Sequence, residues 1–500
     1  MRRQKPLARG AGILLPVASL NSPYGIGTFG KAAFEFVDFL VRAGQRYWQV
    51  LPLGPTSYGD SPYQSFSAFA GNPYFIDLDL LVEAGLLSSD DLAGRDWGSN
   101  PVDIDYAAVY RERFAVLRLA FGRSTHAATE QFLEFCSENA HWLEDYCLFM
   151  ALKTRYDGKE WQAWPEPLRM GTPAAVEKAR RELRSEIAFW AFCQYMFFTQ
   201  WERLKGYANK QGIQIIGDIP IYVAMDSADV WKNSRLFQLD ACKKPVSVAG
   251  VPPDLFSTTG QLWGNPLYDW QRMEQEGFAW WQARMAASAR LYDVIRIDHF
   301  IGVVNYYSIP ATHTTAMDGE WIVGPGMKLL EAITPVLGGK KIIAEDLGVL
   351  TAPVRRLRDK CGYPGMRLMQ FGFDSGDSSS TFLPCYFDKN CVIYAGTHDN
   401  ETLAGYLARQ KPRVLRFARD YLNVAKASDI PWALIRAGYE SSADTAVFLV
   451  QDLLGLDNSA RINTPSTIGC NWRWRVSNGA LTDELAERLN KLVTLYGRNR

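Results

Sequence analysis

Four short apolar runs in this sequence each lead into acidic residues, and this recurrence constrains the fold more than any other feature. The run 292–295 leads into Arg296-Ile297-Asp298-His299, and the other three lead into Gly217-Asp218, Glu345-Asp346 and Gly396-Thr397-His398-Asp399-Asn400. Side chains of a strand alternate between its two faces, so Arg296 and Asp298 share one face. Strands that each end in an acid predict a barrel with carboxylates gathered at one rim, as in an enzyme active site.

Strand and helix signals alternate along the chain, which predicts parallel βα units and a (β/α)8 TIM barrel in the α/β class. The predicted strands lie near 47–53, 72–79, 213–218, 292–298, 341–346, 366–371, 392–397 and 446–452. Their uneven spacing predicts one catalytic domain over residues 1–500, with insertions above the C-terminal rim. One insertion, about 80–210, is mostly helical, and the other, about 220–290, is rich in loops. We expect no C-terminal β-sandwich domain.

The composition excludes several classes of partner. Lys+Arg and Asp+Glu both number 54, so no net field attracts nucleic acid or an anionic membrane. A neutral partner is favoured, and 16 Trp and 23 Tyr suit sugar binding, although most such rings pack the core. No apolar run has membrane-spanning length. Eight cysteines without a C-x-x-C pair indicate free thiols, and we expect a cytoplasmic protein.

The carboxylates are the candidate catalytic groups that remain once metal, phosphate and serine-nucleophile chemistry are excluded. The five histidines have no metal-ligand spacing, and the sequence contains no phosphate-binding glycine motif and no G-x-S-x-G elbow. We therefore expect neither a metal nor an organic cofactor. A nucleophilic carboxylate beside a second carboxyl that acts as acid and then base is the equipment for glycosidic bond chemistry.

The four strand-end motifs resemble those of the 4-α-glucanotransferases (amylomaltases or disproportionating enzymes), which are relatives of the α-amylases in glycoside hydrolase family 77. The resemblance extends from about Gly12 to Trp474. Three loop motifs share it: Tyr58-Gly59-Asp60-Ser61-Pro62-Tyr63-Gln64, Gly250-Val251-Pro252-Pro253-Asp254 and Gly260-Gln261-Leu262-Trp263-Gly264-Asn265-Pro266. An Asn-His pair typical of amylases does not follow Asp218, which favours glucanotransferase over amylase.

The resemblance implies a role for each catalytic acid. Asp298 resembles the nucleophile, Glu345 the general acid/base, and Asp399 the third acid, which binds hydroxyls of the distorted sugar. We expect Arg296 to lower the pKa of Asp298 and keep it ionised, because an opposite charge within about 4–6 Å favours the charged form. The pKa of Glu345 should be raised by apolar surroundings and neighbouring acids.

The resemblance also implies a set of substrate-binding residues around these acids. Trp263 resembles a stacking platform near the cleavage point, and Tyr58 resembles the aromatic residue that meets incoming sugar. Asp218 is expected to organise the rim. The remaining predicted contacts are Arg296, His299, His398, Gln261, Asp254, Asp60 and Asn400. The implied partners are α-1,4-glucans, maltodextrins and glucose as acceptor, and the sequence is silent on oligomeric state.

The implied reaction is a retaining double displacement. Asp298 forms a covalent glycosyl ester, and the 4-hydroxyl of an acceptor sugar then takes the glucan from it. Two alternatives stay open at this point. A retaining α-1,4-glucan hydrolase would use the same acids, and a non-catalytic glucan-binding protein would use the same barrel.

Overall fold

The computed structural model describes residues 3–57, 59–253, 257–348 and 350–499, and a barrel of parallel strands is its central element. The twelve strands of these residues are β1 Gly10–Leu14, β2 Tyr47–Gln49, β3 Gln214–Pro220, β4 Ser247–Val251, β5 Gln261–Pro266, β6 Val294–Asp298, β7 Asn305–Pro310, β8 Glu320–Val323, β9 Lys341–Ala344, β10 Gly365–Leu368, β11 Cys391–Tyr394 and β12 Thr445–Leu449. Eight of them form one parallel sheet in the order β10-β11-β12-β1-β2-β3-β6-β9. The Ala344 N–H donates to the Pro364 carbonyl at 3.0 Å, which joins β9 to the start of β10. The predicted (β/α)8 barrel is confirmed.

Helices cover the outside of this barrel and fill its insertions. In the described residues they are α1 Lys31–Arg42, α2 Leu78–Glu83, α3 Ser89–Leu92, α4 Tyr106–Arg123, α5 Glu130–Glu138, α6 Leu143–Arg155, α7 Glu166–Arg169, α8 Pro173–Glu182, α9 Arg184–Lys210, α10 Ala228–Lys232, α11 Trp270–Gln275, α12 Ala279–Leu291, α13 Ile301–Val304, α14 Met327–Ile333, α15 Ala352–Cys361, α16 Gln370–Phe373, α17 Leu403–Ala408, α18 Pro412–Leu422, α19 Ile430–Glu440, α20 Val450–Leu453 and α21 Asp483–Leu495. None of these helices combines the length and apolar character needed to cross a lipid bilayer.

The strand predicted at 72–79 is wrong. The Asn72 side chain accepts from the Tyr74 N–H and the Asp77 side chain from the Leu80 N–H, so this segment starts a 3-10 turn and then α2. These capping bonds offer the backbone an alternative to a strand. The eighth barrel strand is β1, which pairs with β12 on one side and β2 on the other.

The composition of β1 explains why its strand signal is weak. It contains two glycines, Gly10 and Gly12, and glycine has low strand propensity. At Gly12 an added Cβ would lie 2.7 Å from the Tyr47 Cβ, so only glycine lets β1 and β2 approach this closely. The other seven predicted strands are confirmed, with ends that differ by a few residues.

The barrel interior is an apolar cluster distinct from the layer between strands and helices. Each barrel strand contributes at least one residue to it, including Leu14, Tyr47, Ile216, Val294, Ile343, Met366, Val392 and Val447. This packed interior forms the floor beneath the polar groups at the strands' C-terminal ends.

Two insertions interrupt the barrel. Helices α2 to α9 lie between β2 and β3, with a break at Leu183 between α8 and α9. A second, antiparallel sheet has the order β5-β4-β7-β8. Its strands β4 and β5 come from the segment that the sequence predicts to be rich in loops. The limits of the two inserted subdomains stay predictions.

The C-terminal residues anchor the face of the barrel opposite the acids. The fully buried Arg498 guanidinium donates to a ring of backbone carbonyls, namely those of Gly10, Gly438, Tyr439, Ser441 and Asp444. Gly10 begins β1 and Asp444 precedes β12, so Arg498 ties the first and last strands together.

Candidate active site

Three acids from three neighbouring strands meet at the C-terminal end of the barrel. Asp218 lies in the second half of β3, Asp298 is the last residue of β6, and Glu345 directly follows β9. The β3–β6 register pairs Asp218 with Arg296, and the period of two places Arg296 and Asp298 on the same face. The barrel therefore brings together the acids that the sequence predicts at its rim.

Arg296 joins two of these acids. Its Nη1 lies 2.5 Å from Asp218 Oδ2, and its Nη2 lies 2.9 Å from Asp298 Oδ1. The side chains of Arg296 and Asp218 are 4% and 0% exposed, whereas that of Asp298 keeps 29% exposure. Buried charges require partners, and Arg296 provides this for Asp218 while Asp298 stays open to the cleft.

Glu345 is held by two backbone N–H groups. His299 N donates to Glu345 Oε2 and Leu347 N donates to Oε1, both at 2.7 Å. Burial and the charge of Asp298 raise the pKa of Glu345 to about 8, although Arg296 and the two N–H groups oppose this shift. The carboxyl is therefore fixed in position and protonated at neutral pH.

The pKa of Asp298 differs from the expectation. The sequence predicts a pKa lowered by Arg296, but burial raises it to about 6, because the lowering by Arg296 does not outweigh burial together with the charges of Asp218 and Asp399. The pKa of Glu345 is still the higher of the two, as predicted. Between pH 6 and 8 the pair therefore holds one proton, which resides on Glu345 and leaves Asp298 ionised.

Asp399 follows β11 and contacts the side chains of His398 and Asn463. His398 Nε2 lies 3.4 Å from Asp399 Oδ2, and Asn463 Nδ2 donates to Oδ1 at 2.6 Å. Burial raises the pKa of Asp399, but His398 and Asn463 lower it to about 2. Burial lowers the pKa of His398, and Asp399 outweighs this and raises it. The Asp399 carboxylate is thus ionised at every physiological pH.

Tyr63 contacts both Asp218 and His398, the residue before Asp399. Its hydroxyl donates to Asp218 Oδ2 at 2.8 Å, and its ring stacks on His398 with centroids 5.2 Å apart. The Trp472 ring lies 5.8 Å from Tyr63 and 6.0 Å from His398. These three rings form an aromatic wall beside Asp399.

Trp263 and His299 form a second wall. Their rings meet edge to face, with centroids 4.9 Å apart, and the Trp263 indole donates to Gln261 Oε1 at 3.2 Å. His299 adopts a left-handed φ of 53°, which turns its backbone N–H towards Glu345. Burial lowers the pKa of His299 to about 4, so the imidazole is neutral. Its Nε2 has no hydrogen-bond partner among the described residues.

Two predicted contacts, Asn400 and Asp60, lie beside this cluster. Asn400 Oδ1 accepts from the Thr397 N–H and hydroxyl at 2.9 Å, so it stabilises the turn after β11. Asp60 lines a neighbouring cavity that Trp472 also lines, and burial raises its pKa to about 6 against the influence of Arg473. Tyr58 and Asp254 lie outside the described residues.

Sequence reasoning missed three residues of the cluster: Tyr63, Asn463 and Trp472. Tyr63 belongs to the loop motif 58–64, which resembles the family, so the sequence contains a signal that could have identified it. Asn463 and Trp472 follow β12 in a segment without a periodic pattern, so only the fold brings them to Asp399. In the part of the chain that the structure describes, no cluster of His, Cys, Asp and Glu has the arrangement of a metal site.

The chain matches one family of known proteins over most of its length. The family model described as 4-alpha-glucanotransferase, glycoside hydrolase family 77, matches residues 15–482. A 4-alpha-glucanotransferase from Clostridium butyricum is 47% identical over 484 residues, which cover 96% of this chain and 99% of the relative. One from Thermus thermophilus is 46% identical over 498 residues, covering 97% and 98%.

A solved structure extends the likeness to the fold. The amylomaltase from Streptococcus agalactiae in complex with acarbose superposes with a TM-score of 0.95 at 40% identity, covering 98% of this chain and 99% of that one. Because the family model matches residues 15–482 and a relative that is 47% identical is covered to 99%, the chain belongs to the 4-alpha-glucanotransferase family, glycoside hydrolase family 77.

Proposed function

We propose that this enzyme transfers a segment of an α-1,4-glucan to the 4-hydroxyl of glucose or a maltodextrin. Membership of the family supports glucan transfer. The observation that carries the residue assignment is the difference in pKa between two acids of the site, since the pKa of Glu345 is higher than that of Asp298. The acid with the higher pKa, about 8, is suited to donate a proton, and the one with the lower pKa is suited to attack.

The first displacement uses both acids. The Asp298 carboxylate attacks the anomeric carbon of the donor glucan, the glycosidic bond breaks, and Glu345 gives its proton to the departing oxygen. The products are a glycosyl ester of Asp298 and a shorter glucan with a free 4-hydroxyl. The two N–H groups on Glu345 favour this role, since they hold the carboxyl oxygens in place as the proton leaves.

The second displacement reverses the roles. Glu345, now ionised, accepts the proton of the acceptor's 4-hydroxyl while that oxygen attacks the anomeric carbon and the ester bond breaks. Two inversions give net retention of configuration. Transfer in place of hydrolysis requires that the acceptor sugar exclude water from the ester, and the aromatic walls of Trp263 and of Tyr63 provide apolar surfaces for a sugar ring.

Asp399 is assigned to the sugar that becomes covalently bound. Its carboxylate, 45% exposed, is ionised and accepts hydrogen bonds from hydroxyl groups. Such bonds to a ring hydroxyl strengthen as positive charge develops on the sugar in the transition state. His398 supplies a donor adjacent to Asp399, and neutral His299 has an Nε2 without a partner among the described residues, which is available to a sugar hydroxyl.

A cytoplasmic location accompanies this proposal. All eight cysteines are free thiols, and those in the core are buried, such as Cys147 and Cys193. Free thiols are typical of proteins in a reducing compartment.

Incubation with maltotriose alone tests the proposal. We expect glucose together with maltopentaose and longer chains by chromatography, while the total number of reducing ends stays constant. A rise in reducing ends in step with loss of maltotriose, with glucose and maltose as products, would replace transfer by hydrolysis. Asp298→Asn is expected to abolish redistribution while the protein still binds maltoheptaose. Activity retained by Asp298→Asn would refute the residue assignment.

A further inference from the structure

The guanidinium of Arg296 has a donor that the two carboxylates do not use. Arginine carries five N–H donors in a rigid plane. Nη1 faces Asp218 and Nη2 faces Asp298, which leaves the Nε–H directed at the barrel interior. There it lies 3.3 Å from the sulfur of Met366. Met366 is fully buried, so water does not compete for this donor.

The barrel fixes the position of that sulfur. Arg296 is on β6 and Met366 on β10, and the single strand β9 separates them in the barrel. Alternate strands of a (β/α)8 barrel contribute side chains to the same interior layer. The Met366 N–H donates to Asp346 Oδ1 at 2.8 Å, and Asp346 is paired with Arg358 at 2.5 Å. The start of β10 is therefore anchored next to the catalytic acids.

We propose that Met366 is a positioning residue for glucan transfer, because its sulfur accepts the Nε–H of Arg296 and sets the angle at which the guanidinium meets Asp298. The inference rests on the proposed function. A thioether accepts a hydrogen bond weakly and carries no charge. It satisfies the buried donor without drawing positive charge away from Asp298, as a third carboxylate would. An aliphatic side chain at this position would leave the N–H unpaired.

Met366→Leu removes the acceptor and keeps the volume of the side chain. We expect kcat to fall about tenfold with KM nearly unchanged, since a buried donor left unpaired costs enough to disturb the guanidinium. The acid limb of the kcat/KM profile should move to higher pH, because a poorly aimed Arg296 stabilises the Asp298 carboxylate less. Met369→Leu is the matched control. Met369 is equally buried but packs outside the barrel interior, so this variant should keep wild-type kinetics.

An activated donor separates the action on Asp298 from an action on Glu345. With α-maltotriosyl fluoride the leaving group needs no proton, so a defect at Glu345 in the first displacement disappears, whereas a defect at Asp298 persists. The Met366→Leu defect is expected to persist. Its disappearance with the fluoride would overturn the inference, as would wild-type kcat and an unmoved acid limb in this variant.

A double-mutant cycle provides the second test. Lysine has no Nε–H of the arginine type, so in an Arg296→Lys background the exchange Met366→Leu should change the rate with the fluoride less than twofold. A full tenfold effect in that background would also overturn the inference. Wild-type enzyme assayed in parallel on maltotriose distinguishes the failures. If it redistributes chains, only the role of Met366 is refuted, and if it does not, the proposed function fails.

Discussion

Asp218 shares Arg296 with Asp298, and the substitution Asp218→Asn tests what that sharing does to the reaction. Asparagine has the same shape, and its carbonyl oxygen can still accept from Arg296 Nη1 and from the Tyr63 hydroxyl. The substitution therefore removes a negative charge while it keeps the hydrogen bonds. Because the charge of Asp218 raises the pKa of Asp298, we expect this pKa to fall.

The size of the change follows from the geometry. Two carboxylates on adjacent nitrogens of one guanidinium lie roughly 6 Å apart, and at an effective dielectric constant of about 20 they repel by about 2.8 kcal/mol. That is an upper bound of about two pKa units. The acid limb of kcat/KM should accordingly move from about pH 6 to about pH 4–5. The basic limb, set by Glu345 at about 8, should stay in place.

The assay is disproportionation of maltotriose measured from pH 4 to 9. Asp229→Asn is the matched control, because Asp229 is a buried acid that accepts from the Ala68 N–H and has no part in the Arg296 cluster. Its profile should coincide with that of the wild type, and urea unfolding verifies that both variants are folded at each pH. An acid limb that stays near pH 6 or rises in Asp218→Asn would refute the account of shared charge.

Three further predictions concern other parts of the molecule. Glu345→Gln should lower kcat on maltotriose by about 10²–10⁴-fold and abolish the basic limb of the kcat/KM profile, yet still release fluoride from α-maltotriosyl fluoride. Loss of both activities would contradict the role of Glu345 as the acid. Asn463→Ala removes the hydrogen bond to Asp399 Oδ1 and should lower kcat/KM about ten- to hundredfold, while the pH dependence of kcat/KM above pH 5 stays unchanged. A wild-type kcat/KM in this variant would contradict the prediction. Arg498→Ala leaves several buried carbonyls unpaired and should lower the free energy of unfolding, measured in urea, by roughly 3–5 kcal/mol. The kcat at 20 °C should stay the same, and unchanged stability would show that water replaces these bonds.

The sequence predicted the site best where chemistry and strand pattern coincide. Arg296 and Asp298 lie two residues apart at a strand end, so local periodicity alone places them together. Helix α1 was equally predictable, because its buried stripe repeats with helical spacing and Gly44 follows it at φ 66°. Such features depend on neighbours within a few residues.

Other features depend on contacts that no local pattern encodes. β1 was missed because its two glycines serve the approach to Tyr47, a residue more than thirty positions away. Asn463 reaches Asp399 across 64 residues, and its segment has no strand or helix signal. The pKa of Asp298 is raised by burial in the folded barrel and by the charge of Asp218 from another strand, so the sequence predicted the partner, Arg296, correctly but the direction of the shift wrongly.

The position of β1 has a consequence for folding during synthesis. β1 spans residues 10–14, and its partner β12 spans residues 445–449. As the polypeptide leaves the ribosome from its N-terminus, β1 pairs only with β2 until residues 445–449 have been translated. Through that period the growing sheet keeps two unpaired edges, which are sites for intermolecular strand pairing. Completion of the cylinder, and with it protection from aggregation, is therefore among the last events of folding.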